Sequence, residues 1–246
     1  RSACGPPRVS VLLPVRDAGA TLACALASIA RQSEPRFECV IVDDGSRDDS
    51  RAIAERFAAR DARFRLIAAP RAGLVAALNR GIAACAAPLV ARHDADDVMR
   101  RERLAKQCDT LDATPALAGL GCHVHVFRQR ALKDGMRAYA AWLNSLACAD
   151  DVRRDAFVEC PLAHPTLVLR REVLGEFGYR ERGWPEDYDL WLRFARRGFR
   201  MAKLDHRLLH WRDTGTRASR VQSVYSTEAF LACRVHHLAK FLDGRP

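Results

Sequence analysis

The sequence lacks the glycine-rich signatures of two common nucleotide-binding folds. No GxGxxG follows the first predicted strand, which argues against a dinucleotide cofactor, and the absence of GxxxxGK[ST] excludes a P-loop. No apolar run approaches the length of a membrane span, so any membrane association should be peripheral. There is also no basic run with interleaved aromatics and no helix-turn-helix or zinc-finger spacing, so nucleic acid is not a favoured partner.

The cysteines show neither a disulfide framework nor a zinc site. They number nine, an odd count without a CxxC pair, and several lie among apolar residues, as expected for reduced thiols in the cytoplasm. Strand alternation turns Cys122 away from His123 and His125, so these three residues should not share a metal. The net charge of +10 favours phosphates, acidic sugars or the inner face of an anionic membrane as partners. A chain that starts at Arg1 rather than Met is expected to be trimmed.

The segment 8–112 alternates strands with helices. Short apolar runs predict four buried strands, and alanine-rich or amphipathic stretches predict the helices between them. The predicted strands are Arg8 to Pro14, Phe37 to Asp43, Phe64 to Ile67 and Pro88 to Arg92. The predicted helices are Leu22 to Arg31, Asp48 or Ser50 to about Ala59, Gly73 to about Cys85 and about Arg101 to Ala113. This alternation predicts an α/β fold, a doubly wound Rossmann-like sheet of mostly parallel strands flanked by helices.

Acidic residues follow three of these strands. Asp17 comes after the first strand, Asp43 and Asp44 end the second, and the fourth leads into the segment 94–97, which contains three aspartates. Because the carboxyl ends of parallel strands share one sheet edge, these groups should converge there. Clustered carboxylates favour a divalent cation that could also hold a diphosphate. On spacing alone, an acidic loop or helix cap explains 94–97 equally, and Asp44-Gly45 is a common turn pair.

The periodicity changes after Ala113. Leu117 to Phe127 and His164 to Leu169 predict two more strands. Between them, Arg128 to Glu159 predicts a helical insertion over the site, either an acceptor-binding lid or a plain pair of surface helices. The segment 176–179 predicts a turn. A Thr/Ser/Arg-rich loop, in which Arg212 or Arg217 could meet phosphates, should precede a helix at about 221–242.

The segment 184–194 combines acidic and aromatic residues. Apolar positions 190, 191 and 194 predict a helix with Glu186 and Asp187 in its first turn. Acidic residues are expected there for capping and dipole reasons, and the functional alternative is that one carboxylate is a general base. Trp184 and Tyr188 flank these acids, as aromatics do in many sugar-binding clefts.

Six segments, in order and spacing, resemble the family 2 glycosyltransferases with a GT-A fold. They are VSVLLPVRDAGATL, VIVDDGSRDDS, GLVAALNRGIA, LVARHDADD, HPTLVLRREV and WPEDYDLWLRF, and they span about Val9 to Arg212. The resemblance implies one GT-A domain over 1–246, with a nucleotide-sugar-binding half at about 8–112, an acceptor and catalytic half at about 113–220 and a C-terminal helix at about 221–246.

The resemblance also implies an enzyme of polysaccharide biosynthesis. Its activity would be inverting transfer from a nucleoside-diphosphate sugar to a hydroxyl of a glycan or lipid-linked acceptor, with Mn²⁺ or Mg²⁺ as cofactor. UDP is the favoured donor nucleotide, while GDP and dTDP stay open because Arg16-Asp17 stands where many relatives carry an aromatic residue and an asparagine. The QxxRW motif of processive synthases is missing, which favours a single-addition enzyme.

Roles follow from the resemblance residue by residue. Asp96 is implied to bind the metal, Asp187 to be the catalytic base and Glu186 to be its neighbour in the site. The residues implied to bind the nucleotide sugar are Pro14, Asp17, Asp43, Asp44, Asn79, Arg92, Asp94, Ala95, His164 and Arg212; among them Asp43 would contact the nucleobase and Asp94 would lie near the ribose.

Two other functions fit part of the pattern. A nucleotidyltransferase would share the sheet and the metal, but it usually carries a glycine-rich, lysine-bearing loop after the first strand, and PVRDAGAT has one glycine and no lysine. A nucleotide-sugar-binding module without turnover would have no need for Asp187 in addition to Asp96. The sequence predicts no oligomeric state.

Overall fold

A computed structural model describes residues 5–128, 132–214 and 223–243. Its eight described strands form one mixed sheet in the order β3-β2-β1-β4-β7-β6-β8-β5. The strands are β1 (Val9–Val15), β2 (Phe37–Asp44), β3 (Phe64–Ala69), β4 (Leu89–Arg92), β5 (Val98–Met99), β6 (Leu117–Phe127), β7 (Val168–Arg170) and β8 (Arg200–Arg212).

The helices flank this sheet. They are α1 (Leu22–Ala30), α2 (Ser50–Arg60), α3 (Leu74–Ala84), α4 (Arg103–Ala113), α5 (Asp134–Ser145), α6 (Ala149–Asp155), α7 (Arg171–Phe177), α8 (Glu186–Arg196) and α9 (Thr227–Leu242). Single 3-10 turns occupy His164–Thr166 and Ser223–Tyr225. None of the described helices is long and apolar enough to cross a membrane.

The first four strands confirm the predicted parallel sheet. β1 lies between β2 and β4, and β3 lies outside β2, with all of these pairs parallel. Val15 is in register with Asp43, so the loop after β1 begins beside the acidic end of β2. The carboxyl ends of these strands therefore meet at one edge, as the alternation of strands and helices required.

The sheet separates two apolar layers. Successive β1 residues point to opposite faces, so Leu13 packs with α1 and α4 residues while Leu12 packs with α3 and α8 residues. Helix α3 approaches β1 closely at Gly81, where an added Cβ would overlap Leu12 Cδ1 and lie 3.1 Å from Val42 Cγ2. The glycine thus brings the face of the helix against the strand.

Two predictions for the second half are wrong, and one strand was not predicted. His164 to Leu169 is not one strand: it begins as a 3-10 turn, in which Pro165 offers no backbone N–H and Thr166 Oγ1 donates to the Ala163 carbonyl over 2.6 Å, and β7 follows. The segment 176–179 is the end of α7 and the residues that follow it, rather than a turn alone. The long strand β8 was missed because charged residues at 203, 205 and 207 interrupt its apolar pattern.

The remaining segments agree with expectation where they are described. The insertion after β6 is helical, as α5 and α6. Cys122 is buried and His125 is exposed, as the alternation of side chains along β6 requires. Arg217 and positions 221 and 222 lie outside the described residues. The C-terminal helix starts later than predicted, at Thr227, because Ser223–Tyr225 form a 3-10 turn and Ser226 caps the helix.

Candidate active site

A cavity of about 730 Å³ opens at the carboxyl edge of the sheet. Predicted site residues that line it are Pro14, Asp17, Arg92, Asp94, Ala95, Asp96, His164, Glu186 and Asp187. Three segments far apart in sequence, after β1, after β4 and at the start of α8, therefore place their polar residues around one space. The order of these segments in the sequence does not predict that they meet, and it is the sheet topology that brings them together.

Hydrogen bonds join the loops after β1 and β2. Asp17 Oδ1 accepts from the Arg47 backbone N–H over 2.8 Å, and the Asp17 N–H donates to Ser46 Oγ over 3.1 Å. The next two residues of the loop are held in the same way. The Ala18 N–H donates to Ser50 Oγ over 2.8 Å, and the Gly19 N–H donates to Asp48 Oδ2 over 2.7 Å. Asp17 has a φ of 47°, a left-handed conformation in which an aspartate is tolerated when its side chain bonds locally. We call these four hydrogen bonds the β1–β2 clamp.

The acidic loop after β4 offers a set of carboxylate oxygens. Oxygens of Asp94, Asp96 and Asp97 lie within 4.8 Å of one another. Asp97 is buried, and its Oδ1 accepts from the Arg212 backbone N–H over 2.8 Å, so it ties the loop to β8. Asp94 and Asp96 line the cavity, and hard oxygen ligands of this kind suit Mn²⁺ or Mg²⁺. The donor set therefore fits a divalent cation.

A buried cation lies beside this loop. Arg92 is 4% exposed, and its Nη2 lies 2.7 Å from Asp94 Oδ1. Its other terminal nitrogen donates to the His93 carbonyl, while Nε has no hydrogen-bond partner among residues 5–128, 132–214 and 223–243. The positive charge of Arg92 also acts on Glu186 and Asp187 and opposes the rise of their pKa values. The positive charge of Arg92 thus interacts with both the acidic loop and the carboxylates of α8.

Glu186 and Asp187 form a carboxylate pair in the first turn of α8. Burial, followed by the charge of Glu186, raises the pKa of Asp187 to about 8, and burial raises the pKa of Glu186 above its ordinary value. Glu186 is buried, whereas Asp187 is partly exposed to the cavity. A carboxylate with a raised pKa in a cleft is suited to accept a proton near neutral pH.

Asp189 anchors the helix that carries this pair. Its Oδ2 accepts from Arg193 Nε over 2.7 Å, and its Oδ1 accepts from His237 Nε2 over 2.9 Å and from Trp184 Nε1 over 3.2 Å. Arg193 also donates to the carbonyls of Phe177 and Gly178. These partners hold the pKa of Asp189 low, at about 2, although burial alone would raise it. The network fixes α8 against α9 and the end of α7.

Four predicted site residues do not line the cavity. Asp43 Oδ1 accepts from the Ser46 N–H over 3.3 Å. Asp44 accepts from the backbone N–H groups before α3, at 2.6 Å from Ala72 and 3.0 Å from Gly73. Arg212 Nε donates to the Asp96 carbonyl over 2.8 Å. Each of these residues shapes a loop at the sheet edge beside the cavity.

Asn79, the fourth of them, has a structural role. Its amide nitrogen donates to the Tyr179 carbonyl over 2.9 Å, and its amide oxygen accepts from the Tyr179 N–H over 2.8 Å. Both polar groups of the side chain are therefore used to hold the segment after α7 against α3. The two bonds favour a structural role, and the assignment of Asn79 to the nucleotide sugar stays a prediction.

The aromatic residues predicted to line a sugar cleft are corrected. Tyr188 is fully buried and donates to the Ala156 carbonyl over 2.9 Å, and Trp184 donates to Asp189. The aromatic side chains that do line the cavity are Tyr139, Trp211, Tyr225 and Phe230. Only Tyr139, in the helical insertion, lay in a segment that the sequence placed over the site. Trp211 and Tyr225 had no motif around them that could have indicated the role.

A mixed, mostly parallel sheet with helices on both sides and acidic residues at its carboxyl edge is the architecture of the GT-A glycosyltransferases. Residues 10–178 match the family model Glycosyl transferase family 2. The chain belongs to this family and is a glycosyltransferase.

Known relatives agree with this assignment. The chain is 30% identical to the amylovoran biosynthesis glycosyltransferase AmsE of Erwinia amylovora over 184 residues, which cover 73% of this chain and 65% of AmsE. Its fold is similar to S. aureus TarS 1-349 in complex with UDP-GlcNAc, with a TM-score of 0.74, 19% identity and coverage of 96% of this chain and 72% of TarS 1-349. It is also similar to the mannosyltransferase PcManGT of Pyrobaculum calidifontis in complex with GDP-Man and Mn²⁺, with a TM-score of 0.66, 18% identity and coverage of 98% and 77%.

Proposed function

We propose that this glycosyltransferase is an inverting, metal-dependent enzyme of polysaccharide biosynthesis. It would move a sugar from a nucleoside-diphosphate sugar, with UDP the favoured nucleotide, to a hydroxyl of a glycan or lipid-linked acceptor. The observation that carries the proposal is that the acidic loop, Arg92 and the Glu186/Asp187 pair all line one cavity. The name of AmsE, which refers to amylovoran biosynthesis, supports the polysaccharide context.

The donor would bind along the sheet edge from β2 to β4. Asp17 and Asp43, at the ends of β1 and β2, would accept hydrogen bonds from the nucleoside, since carboxylate oxygens accept from base N–H and ribose O–H groups. Asp94 and Asp96 would hold the cation next to the diphosphate. A bound Mn²⁺ or Mg²⁺ would act there as a Lewis acid for the leaving diphosphate. The PcManGT complex contains both GDP-Man and Mn²⁺, which supports this arrangement.

The chemistry would take place where Asp187 meets the cavity. The acceptor hydroxyl oxygen forms a bond to the anomeric carbon as the bond from that carbon to the diphosphate oxygen breaks, and the diphosphate keeps the electron pair. Asp187 takes the hydroxyl proton, for which its raised pKa is suited. The negative charge of the pair also favours the positive charge that develops on the sugar ring.

The acceptor would enter beside the helical insertion. Met136 and Tyr139 of α5 line the cavity, and the Tyr139 ring lies 6.3 Å from the Trp211 ring, centroid to centroid. Aromatic faces of this kind suit the apolar face of a sugar. The insertion and β8 thus form the wall that would recognise the acceptor.

Calorimetry with nucleoside diphosphates tests the donor site. UDP, GDP, dTDP and CDP are titrated into the wild type and into Asp96→Asn, with and without Mn²⁺. We expect one nucleotide to bind tightly only with Mn²⁺, and Asp96→Asn to weaken that binding by at least about tenfold because a hard anionic ligand is lost. Glu102→Gln, a carboxylate outside the cavity at the start of α4, is the matched control. Metal-independent binding, or equal binding by Asp96→Asn, would refute the assigned metal site.

A turnover assay tests the base. With the nucleotide identified, sugar transfer is measured for the wild type and Asp187→Asn. Loss of the proton acceptor should lower kcat by roughly 100-fold or more. Near-normal turnover by Asp187→Asn would show that the base has been misassigned.

A further inference from the structure

The C-terminal segment brings a tyrosine to the carboxylate pair. Tyr225 ends the 3-10 turn before α9, lines the cavity and donates from its hydroxyl to Glu186 Oε2 over 2.7 Å. It lies outside the residues 10–178 that match the family model. The contact is thus a feature of this chain's own C-terminal segment.

The other oxygen of Glu186 faces a histidine. Glu186 Oε1 lies 3.8 Å from His164 Nδ1, and His164 Nε2 lies 2.7 Å from the Tyr179 hydroxyl. Burial and the nearby charge of Arg92 hold the pKa of His164 well below its ordinary value, so the ring is neutral and carries a single N–H. We assign that proton to Nδ1, because the other tautomer would point a lone pair at the carboxylate.

Donor groups therefore approach Glu186 from two sides. Hydrogen bonds to the charged form of a carboxyl group favour ionisation, and the bond from Tyr225 opposes the rise in the pKa of Glu186 that burial causes. An ionised Glu186 in turn makes Asp187 harder to ionise, since like charges repel. Asp187 is then a stronger proton acceptor than an isolated aspartate would be.

We propose that Tyr225 is a positioning residue for sugar transfer, whose hydroxyl holds Glu186 as an anion beside Asp187. This inference rests on the proposed function, in which Asp187 is the base. Tyr179 supports the arrangement from the opposite side by fixing the His164 ring. Among the described residues, the titratable and charged groups that interact with the pair include Arg92, Asp94, Cys160, His164, Tyr179, Tyr225 and Cys233.

The test compares two tyrosines that each lose only a hydroxyl. Tyr225→Phe removes the donor to Glu186, whereas the control Tyr188→Phe removes a hydroxyl on α8 that donates to the Ala156 carbonyl and interacts with Arg234 rather than with Glu186. For each variant we would measure kcat and KM across pH, together with the thermal unfolding temperature. We would also follow the titration of the side-chain carboxyl groups by ¹³C NMR without substrate.

For Tyr225→Phe we expect kcat to fall roughly tenfold with a smaller change in KM. The acid limb of kcat/KM should move to lower pH, because Glu186 without its donor is less readily an anion and then repels the anion of Asp187 less. Glu186→Gln should move the same limb to lower pH, because Asp187 loses its neighbouring anion. Tyr188→Phe should leave the limb in place.

A shift of the limb to lower pH in both Tyr225→Phe and Glu186→Gln, with the carboxyl titration of Glu186 moved to higher pH in Tyr225→Phe, would support the proposal. An unchanged limb and an unchanged carboxyl titration in Tyr225→Phe, with only a lower unfolding temperature, would overturn it and leave Tyr225 a structural contact. The NMR titration requires no turnover, so it decides the role of Tyr225 even if Asp187→Asn shows that the proposed base is wrong.

Discussion

Two aspartates in helix α8 should have opposite effects on how the free energy of unfolding depends on pH. Asp187 has a pKa raised to about 8, and Asp189, two residues further along α8, has a pKa lowered to about 2. A raised carboxyl pKa means that the folded state binds the proton more tightly than the unfolded chain does. The stability contributed by protonated Asp187 is therefore present at acid pH and is lost as pH rises from about 4 toward 8. For Asp189 the stability is present at neutral pH and is lost as pH falls below about 4.

Replacement of each aspartate by asparagine should reveal these opposite effects on stability. At pH 7.5 the raised pKa of a fully buried Asp187 would lower the free energy of unfolding by several kcal/mol. Because the side chain reaches the cavity, we expect solvent to reduce this loss to about 1–3 kcal/mol. Asp187→Asn should then raise the unfolding temperature by about 2–12 °C, since 1 kcal/mol shifts a chain of this size by about 2–4 °C. The same substitution should lower turnover, so stability and activity would change in opposite directions.

Asp189→Asn is the matched control on the same helix. It removes a charge that Arg193 and His237 both contact, and it should destabilise the protein at pH 7.5 by about 2–4 kcal/mol. Differential scanning calorimetry from pH 4 to pH 9 measures both effects. The reasoning fails if Asp187→Asn is less stable than the wild type at pH 8, or if its advantage does not shrink as the pH approaches 4.

Two further substitutions test how the fold supports the site. Gly81→Ala should destabilise the protein by about 1–3 kcal/mol, measured by urea unfolding, because the new methyl group overlaps Leu12 in a packed core. Gly175→Ala is the control, since an added Cβ there meets nothing within 4 Å. It should be neutral or slightly stabilising. Asn79→Ala should cost about 1–3 kcal/mol in the same measurement, since it leaves the Tyr179 backbone without two hydrogen bonds. Unchanged stability of Asn79→Ala together with weakened nucleotide binding would instead return Asn79 to the donor site.

The first half of the fold, from β1 to α4, was predictable because its signals are local. Strands β1 to β4 are short apolar runs, and the segments between them have helical spacing, so the parallel sheet and its acidic edge followed from the sequence. The cluster at 94–97 lies on the loop where strand periodicity placed it.

The second half depends on contacts that spacing does not encode. β8 pairs with β6, more than 70 residues earlier, and the buried Lys203 interrupts the apolar pattern while donating to the Leu143 and Pro161 carbonyls. Trp184 and Tyr188 flank the acidic pair in sequence, yet both side chains turn away from the cavity because α8 buries that face. Tyr225 reaches Glu186 across 39 residues of chain, and no local pattern announces such a contact.

The β1–β2 clamp bears on the thermodynamics of donor binding. A loop that must order itself around a ligand gives up conformational entropy at the moment of binding, and part of the contact energy is offset by that loss. Here the backbone on one side of the cavity is already fixed by Asp17, Asp48 and the hydroxyls of Ser46 and Ser50. This surface would therefore change little when a nucleotide binds. Less of the contact energy would be offset by lost conformational entropy, and the affinity would be higher.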